Sequence, residues 1–148
     1  MCTFIFAWRV FDGAPVVVAA NRDERLDRAF DPPDVFARDP AVVAPRDATA
    51  GGTWLGYNEF GVLVAVTNRW TDADLAGERS RGLLVADALR AESAAAAAAT
   101  VRGAVDATAY AGFNLVVADA TDAFLLEWDG ALAERRFTPG VHVVVNVG

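Results

Sequence analysis

The residue best suited to chemistry is Cys2, because it directly follows the initiator methionine. Cysteine is small enough for that methionine to be removed, which would give one residue both a thiol and a free α-amine. Their unperturbed pKa values are about 8.5 and about 7.7 to 8.0, so a proton can pass between them near neutral pH. The alternative is that Cys2 is a small hydrophobic side chain at the start of a strand.

A charged tetrapeptide, Asn21-Arg22-Asp23-Glu24, is the second candidate. It follows an apolar run that we expect to pair with the first strand, so it would return to the start of the chain. Asp23 could then accept a hydrogen bond from an α-ammonium, and Arg22 could favour a thiolate by its charge. The alternative is a solvated turn.

Two asparagines near predicted strand ends, Asn68 and Asn114, form the third candidate. Side-chain amides that donate to a developing oxyanion stabilise the tetrahedral intermediate of acyl transfer. Asn146 is a weaker case of the same kind. The alternative for all three is capping or turn formation.

The first elements that must position these residues are two strands, Cys2 to Val10 and Val16 to Ala20. A turn at residues 11–15 joins them, so the pattern predicts a hairpin. Pro32 and Pro33 predict an irregular surface segment without regular strand pairing.

The rest of the chain predicts more strands and one or two helices. Arg81 to Ala99 has helical spacing and an alanine run, and a weaker helix is predicted at Thr100 to Thr108. The strand predictions are two pieces around a turn at Asn58 to Gly61, of which the second is Val62 to Thr67, followed by Phe113 to Ala118, Ala123 to Trp128, Ala131 to Phe137 and Val141 to Val145. Strands, then helices, then strands indicate a layered α+β domain.

Composition narrows the class of protein. A chain of 148 residues, 54% of them hydrophobic, fits one globular domain. All 13 basic residues are arginine and the net charge is −7, which suggests a halophilic source and argues against a nucleic-acid surface. No apolar run is long enough to span a bilayer and no signal peptide is visible, so we expect a soluble, cytoplasmic protein.

The chain has one cysteine, Cys2, and one histidine, His142. They make a disulfide or a transition-metal cage improbable, so no cofactor is expected.

Two further features are predicted to be structural. The glycine-rich segment Gly51 to Gly56 lacks the Lys-Ser or Lys-Thr of a phosphate loop, and close backbone packing under Trp54 explains it better. His142, flanked by valines, is expected to be an edge or core side chain.

Together these motifs resemble the NRDE family, also called the transport and Golgi organisation protein 2 family. The resemblance runs from residue 1 to about residue 130, in the order of the family. The motifs that carry it are Met1-Cys2-Thr3, Ala19-Ala20-Asn21-Arg22-Asp23-Glu24, Ala50-Gly51-Gly52-Thr53-Trp54-Leu55-Gly56, Leu63 to Asn68, Ser80-Arg81-Gly82 and Phe113-Asn114-Leu115-Val116-Val117-Ala118-Asp119.

The resemblance implies an Ntn-hydrolase-like αββα sandwich of antiparallel sheets, similar to the cysteine acylases of bile salts and penicillins. It makes Cys2 the nucleophile, Asp23 the acid after the second strand and Asn68 an oxyanion-hole residue. Asn114 matches more loosely, and Arg22 lies beside Asp23 where the acylases place an arginine three residues before the aspartate. Family members are longer, so we expect residues 1–148 to be one NRDE-type domain, incomplete at its C-terminus.

We consider three hypotheses for a protein with this resemblance. The first is a cysteine amidohydrolase or acyltransferase that acts on non-peptide C–N bonds of a small-molecule acyl or amide substrate. The second is a carrier of haem or another hydrophobic ligand, with Cys2 or His142 as a possible iron ligand and an apolar pocket lined by Trp8, Trp54, Trp70 or Phe113. The third is a catalytically inert domain.

An open sheet edge at Val143 to Val147 would also permit oligomers.

Overall fold

The chain folds into two antiparallel sheets and a pair of helices in a computed structural model that describes residues 2–71 and 75–146. The strands in this part of the chain are β1 (Thr3–Phe11), β2 (Ala14–Asn21), β3 (Phe30–Arg38), β4 (Ala41–Asp47), β5 (Leu55–Asn58), β6 (Leu63–Asn68), β7 (Phe113–Ala118), β8 (Ala123–Trp128), β9 (Leu132–Arg136) and β10 (Gly140–Val145). The helices are α1 (Arg81–Ala88) and α2 (Ala94–Ala107).

The predicted N-terminal hairpin is confirmed and forms the smaller sheet. β1 pairs with β2 on one side and with β10 on the other, which gives the order β10-β1-β2. The other seven strands form a meander in sequence order from β3 to β9. The predicted strands on both sides of the turn at Asn58 to Gly61 and the β7–β8 hairpin are confirmed.

Side-chain alternation along the strands builds two cores. On β1, Phe4, Phe6 and Trp8 point into the space between the sheets, where they meet Leu63 and Ala65 of β6. The other face of β6 packs against α1, and α2 packs against β7 and β8, so that buried side chains of both helices cover the large sheet. The layers are therefore helices, seven-stranded sheet and three-stranded sheet.

The prediction at Pro32 and Pro33 was right about an exposed segment without regular pairing but wrong in not expecting a strand, because both prolines lie in β3. β3 is the edge strand of the large sheet, and its register shifts between Asp31 and Asp34, across the two prolines. A proline without an N–H is tolerated where no further strand needs a donor. The edge position and the irregular register thus reconcile the prolines with a strand.

The prediction of one helix from Arg81 to Ala99 was also wrong, because α1 and α2 are separated at residues 89–93. Ser93 caps α2 by accepting a hydrogen bond from the amide of Ala96. The Asn58 side chain donates to the carbonyls of Leu89 and Ala91 at 2.9 and 2.7 Å and so satisfies groups at the end of α1. The weaker helix predicted at Thr100 to Thr108 is the second half of α2.

The outer face of the small sheet is not covered by residues 2–71 and 75–146. Ile5, Val17, Val141 and Val143 are exposed there. This part of the chain supplies both sheets and one helical layer of the expected αββα arrangement, and β10 lies at a sheet edge. Neither helix is long and apolar enough to cross a bilayer.

Candidate functional site

The thiol of Cys2 lies at the open end of the space between the two sheets. The register of the hairpin pairs Thr3 with Asn21, and the Thr3 amide also donates to the Asn21 side-chain oxygen at 2.9 Å. The amide of Asp23 donates to Cys2 Sγ at 3.3 Å, and Sγ lies 3.7 Å from the Asp23 carbonyl oxygen. The hairpin thus brings Cys2 and Asp23 together, as predicted, through the backbone of Asp23.

A cavity of about 330 Å³ opens beside this thiol, and we call it the Cys2 cavity. Five segments line it: residues 2–4, residues 20–24, residues 53–55, the end of β6 at residues 65–68, and residues 77–82 with Ala111. Cys2, Arg22, Asp23 and Asn68 of the predicted site therefore share one cavity.

Two glycines allow the backbone contact that shapes one wall of the cavity. Gly52 has a φ of +72°, and a Cβ placed on it would lie 2.3 Å from the carbonyl carbon and oxygen of Gly82. The amide of Thr53 donates to that same carbonyl at 3.0 Å. The start of α1 is thereby fixed against the loop, which brings Trp54 and Arg81 to the same cavity. The predicted close backbone packing of the glycine-rich segment is confirmed.

Arg22 is held in place by an aromatic ring and two carboxylates. Its guanidinium carbon lies 4.2 Å from the centroid of the Trp54 ring, a cation–π geometry. Its Nη2 lies 3.5 Å from a carboxylate oxygen of Asp47 and 3.7 Å from one of Glu24. Arg22 therefore brings a fixed positive charge to the cavity wall.

Asp47 anchors this wall, although the sequence analysis did not identify it. One carboxylate oxygen accepts from the amides of Thr49 and Ala50 at 3.0 Å, and the other accepts from Arg28 at 2.8 Å. Burial opposes the charge of this carboxylate, but the hydrogen bonds from Ala50 and Arg28 outweigh it and lower the pKa of Asp47. An aspartate followed by Ala-Thr-Ala-Gly is a turn signal that could have predicted part of this role.

The thiol itself is not activated by its surroundings. Burial raises the pKa of Cys2 above its ordinary value, and the positive charges of Arg22 and Arg81 only partly oppose this shift. The surroundings therefore favour the protonated form of the thiol. A thiol in this state needs a base to become a nucleophile.

Thr67 and Asn68, at the end of β6, are both among the residues that line the cavity. Asn68 is exposed. Thr67 is buried, and its hydroxyl has no hydrogen-bond partner among the described residues. Sequence reasoning missed Thr67, because a threonine at the end of an apolar strand carries no signal of its own.

Asn114 does not line the Cys2 cavity. Its amide nitrogen donates to the Val145 carbonyl at 2.9 Å, and its side-chain oxygen accepts from Arg69 at 3.1 Å. These bonds tie β10 to the seven-stranded sheet. Asn146 lies near this junction, where its carbonyl accepts from the Trp70 amide.

The aromatic residues named for a hydrophobic carrier are dispersed. Trp8 is buried between the sheets and its indole donates to the Asp119 carbonyl at 2.8 Å, whereas Phe113 is buried on the helical side. Trp70 is 75% exposed. Of these aromatic residues, Trp54 lines the Cys2 cavity.

His142 lies in a second cavity of about 310 Å³, which we call the His142 cavity. Its ring packs against Phe6 and Phe137, and its Nε2 lies 2.8 Å from the Thr138 carbonyl oxygen. Cys2 and His142 therefore do not converge on one ligand. Among the described residues, no group of three or more His, Cys, Asp or Glu side chains is placed to hold a metal ion.

Comparison with known sequences gives one consistent family. The model of the family described as Transport and Golgi organisation 2 matches residues 1–148. The mouse Transport and Golgi organization 2 homolog is 31% identical over 129 residues, which are 80% of this chain and 45% of the mouse protein. The bovine homolog is 33% identical over the same shares of both chains. The chain spans about half the length of these relatives.

Comparison with solved structures gives the fold. A conjugated bile acid hydrolase from Clostridium perfringens, solved as its C2A mutant, has a TM-score of 0.65 at 14% identity, over 95% of this chain and 52% of the hydrolase. A Caenorhabditis elegans N-acylethanolamine-hydrolyzing acid amidase ortholog has a TM-score of 0.66 at 14% identity, over 99% of this chain and 70% of the amidase. The predicted α+β fold of the Ntn-hydrolase type is confirmed.

Proposed function

Since the chain belongs to the Transport and Golgi organisation 2 family and has the Ntn-hydrolase fold, we propose that it is a cysteine amidohydrolase or acyltransferase with Cys2 as its N-terminal nucleophile. The observation that carries this proposal is the position of the Cys2 thiol, which lies at the mouth of a cavity and accepts a hydrogen bond from the Asp23 amide. The proposed substrate is a small-molecule amide or acyl compound.

The proposed reaction begins with removal of Met1, which frees the α-amine of Cys2. This amine takes the proton of the thiol, which is needed because burial raises the pKa of the thiol. The sulfur then forms a bond to the substrate carbonyl carbon, and the carbonyl π electrons move to the oxygen. As the oxyanion collapses, the C–N bond breaks and the α-ammonium gives its proton to the leaving nitrogen. Water, or an acceptor amine or alcohol, then attacks the thioester and releases the acyl group.

Three polar residues of the Cys2 cavity have a role in this proposal. Asn68, which lines the cavity at the end of β6, is proposed to donate to the oxyanion. The backbone amide of Asp23 orients the sulfur. Arg22, fixed by Trp54 and Asp47, lowers the cost of negative charge on the sulfur.

The structural relatives are consistent with amide chemistry. The C. perfringens protein is a hydrolase of conjugated bile acids, and the C. elegans protein belongs with amidases that hydrolyse N-acylethanolamines. At 14% identity this likeness is one of fold, so for the present chain it supports the reaction class without identifying the acyl group.

The experiment is intact mass spectrometry of the natively expressed protein, before and after brief treatment with an activated acyl ester. We expect loss of the mass of Met1 and then one acyl adduct. Because Cys2 is the one cysteine of the chain, Cys2→Ala removes every thiol, and the adduct should disappear while the circular dichroism spectrum stays native. Wild-type protein unfolded in urea is the control for reactivity that does not depend on the site.

Retention of Met1 in the native protein would contradict the proposal, because the α-amine of Cys2 would then be blocked. An adduct of equal yield on Cys2→Ala would also contradict it, because the acyl group would then be attached elsewhere.

A further inference from the structure

Arg81 differs from the other half-buried arginines of the described chain. It is the first residue of α1, and its Nη1 donates to the Gly112 carbonyl at 2.6 Å. Within residues 2–71 and 75–146 it has no carboxylate at ion-pair distance. The other half-buried arginines all have such a partner: Arg22 and Arg28 pair with Asp47, Arg69 pairs with Glu127, and Arg79 pairs with Asp87.

A half-buried guanidinium with no carboxylate partner among the described residues costs free energy. Burial lowers the pKa of Arg81, and the nearby charge of Arg28 adds to that shift, whereas Cys2 and Glu24 oppose it. A guanidinium nevertheless stays charged in proteins, so the side chain cannot escape the cost by losing its proton. Partly buried charges are normally compensated by a partner of opposite sign. A ligand in the cavity would supply that partner.

Thr67 provides a second, independent indication of a ligand. Thr67 is among the residues that line the same cavity, the residue is only 6% exposed, and its buried hydroxyl has no hydrogen-bond partner among the described residues. A carboxylate has acceptor positions for both a guanidinium and a hydroxyl. One carboxylate could therefore satisfy two groups that lack such partners within the described part of the chain.

The charge of the remaining wall favours one negative charge on the ligand. Apart from Arg81, the cavity is lined by three acidic residues and two arginines, a net charge of −1 that would repel a phosphate dianion more strongly than a carboxylate: Asp23, Glu24, Glu78, Arg22 and Arg79. Trp54 and Leu55 add apolar surface for the uncharged part of the ligand.

We propose that the Cys2 cavity selects substrates that carry a carboxylate, and that Arg81 is the residue that binds this carboxylate. The inference rests on the proposed function, because it names the substrate class of the same site. It makes Arg81 a determinant of specificity, separate from the groups that act on the scissile bond.

The test compares two alkylating reagents of nearly equal size, iodoacetate and iodoacetamide. Both react with the Cys2 thiolate, which forms an S–C bond and expels iodide, but only iodoacetate carries a carboxylate. Both rate constants are proportional to the fraction of Cys2 that is thiolate, so their ratio does not depend on that fraction. The ratio therefore measures how strongly the cavity favours the reagent with the carboxylate. Intact mass spectrometry reads each reaction without ambiguity, because the chain has one cysteine.

We expect the iodoacetate to iodoacetamide ratio of the native protein to exceed that of the same chain unfolded in urea. Arg81→Gln should lower the native ratio by about tenfold, whereas Arg81→Lys should keep most of it, because the charge remains. Arg79→Gln is the matched control. Arg79 also lines the cavity but pairs with Asp87 at 2.8 Å and Tyr110 at 3.0 Å, so its loss should change the ratio by less than about twofold.

Equal ratios in the native and unfolded wild-type chain would overturn the proposal whether or not Arg81→Gln folds. It would also be overturned by an unchanged ratio in a folded Arg81→Gln variant, or by an equal loss in Arg79→Gln. Alkylation needs neither removal of Met1 nor turnover. Failure here therefore leaves the amidohydrolase proposal intact, and failure of acyl-adduct formation would leave carboxylate binding by Arg81 standing without a catalysed reaction.

Discussion

The Cys2 cavity and the His142 cavity have nearly the same volume, about 330 and 310 Å³, but their polar groups differ in whether they have partners. Around Cys2, the Thr67 hydroxyl and the Arg81 charge lack partners among the described residues. Around His142, the ring nitrogen meets the Thr138 carbonyl, and the lining arginines pair with Asp122 and Glu127. The two cavities therefore cannot be told apart by their volume. What distinguishes the Cys2 cavity is that it has polar groups without partners among the described residues.

The largest predicted effect tests whether the glycine contact builds the Cys2 cavity. Gly52→Ala would place a methyl group on the Gly82 backbone at a residue with positive φ, so we expect a loss of about 3 kcal/mol or more of unfolding free energy. Urea denaturation measures it. The rate of Cys2 alkylation in this variant should then approach the rate in the urea-unfolded chain.

Gly103→Ala is the control for that substitution, because Gly103 lies in α2 with open space around its Cβ position. The same change there should stabilise the protein by roughly 0.5 to 1 kcal/mol. If Gly52→Ala is as stable as wild type, the contact between its loop and α1 does not shape the cavity wall.

The next effect tests whether Asp47 holds the wall through its charge. Asp47→Asn should cost about 1 to 3 kcal/mol at neutral pH, because the bonds to Arg28 and Arg22 lose their ionic character. The pKa of Asp47 is lowered by folding, so its contribution is present above the pKa of the unfolded chain. That contribution is lost as the pH falls through the folded value.

Urea denaturation of both proteins at neutral pH and near pH 3 measures this contribution. The difference between wild type and Asp47→Asn should shrink in acid. A difference that is independent of pH would show that the carboxylate acts through its shape and not through its charge.

A smaller effect concerns the pH dependence of Cys2. Because burial raises the pKa of the thiol, the rate of iodoacetamide alkylation should keep rising to a higher pH in the native protein than in the urea-unfolded chain. Arg22→Gln should move the midpoint further upward, because the Arg22 charge lowers this pKa. A native midpoint below that of the unfolded chain would mean that the thiol is activated without a base.

The sequence predicted the elements whose signals are local. β7 and β8 have continuous apolar runs with a turn at residues 120–122 between them, and the N-terminal hairpin has β-branched strands around a Gly-containing turn. The β3 strand and the break before Ser93 were missed, because an edge position and a contact from Asn58 decide them. These contacts join residues that are far apart in the sequence.

The site was predicted in part for the same reason. Cys2 and Asp23 meet because a hairpin register is local information. Arg81 and Thr67 enter the cavity only after α1 has packed on the glycine loop and β6 has faced the small sheet. Asn114 was expected in the site, but its side chain bonds to Val145 of β10, a strand whose position the sequence pattern does not reveal.

The smallest effect is predicted at the His142 cavity, where it sharpens the contrast with the Cys2 cavity. His142→Ala removes a ring that packs at 5.2 Å from the centroid of Phe6 and 4.6 Å from that of Phe137, so about 1 kcal/mol of unfolding free energy should be lost. Because the polar groups there already have partners, acylation and alkylation of Cys2 should change by less than about twofold. A large loss of Cys2 reactivity in a folded His142→Ala protein would show that the two cavities are coupled.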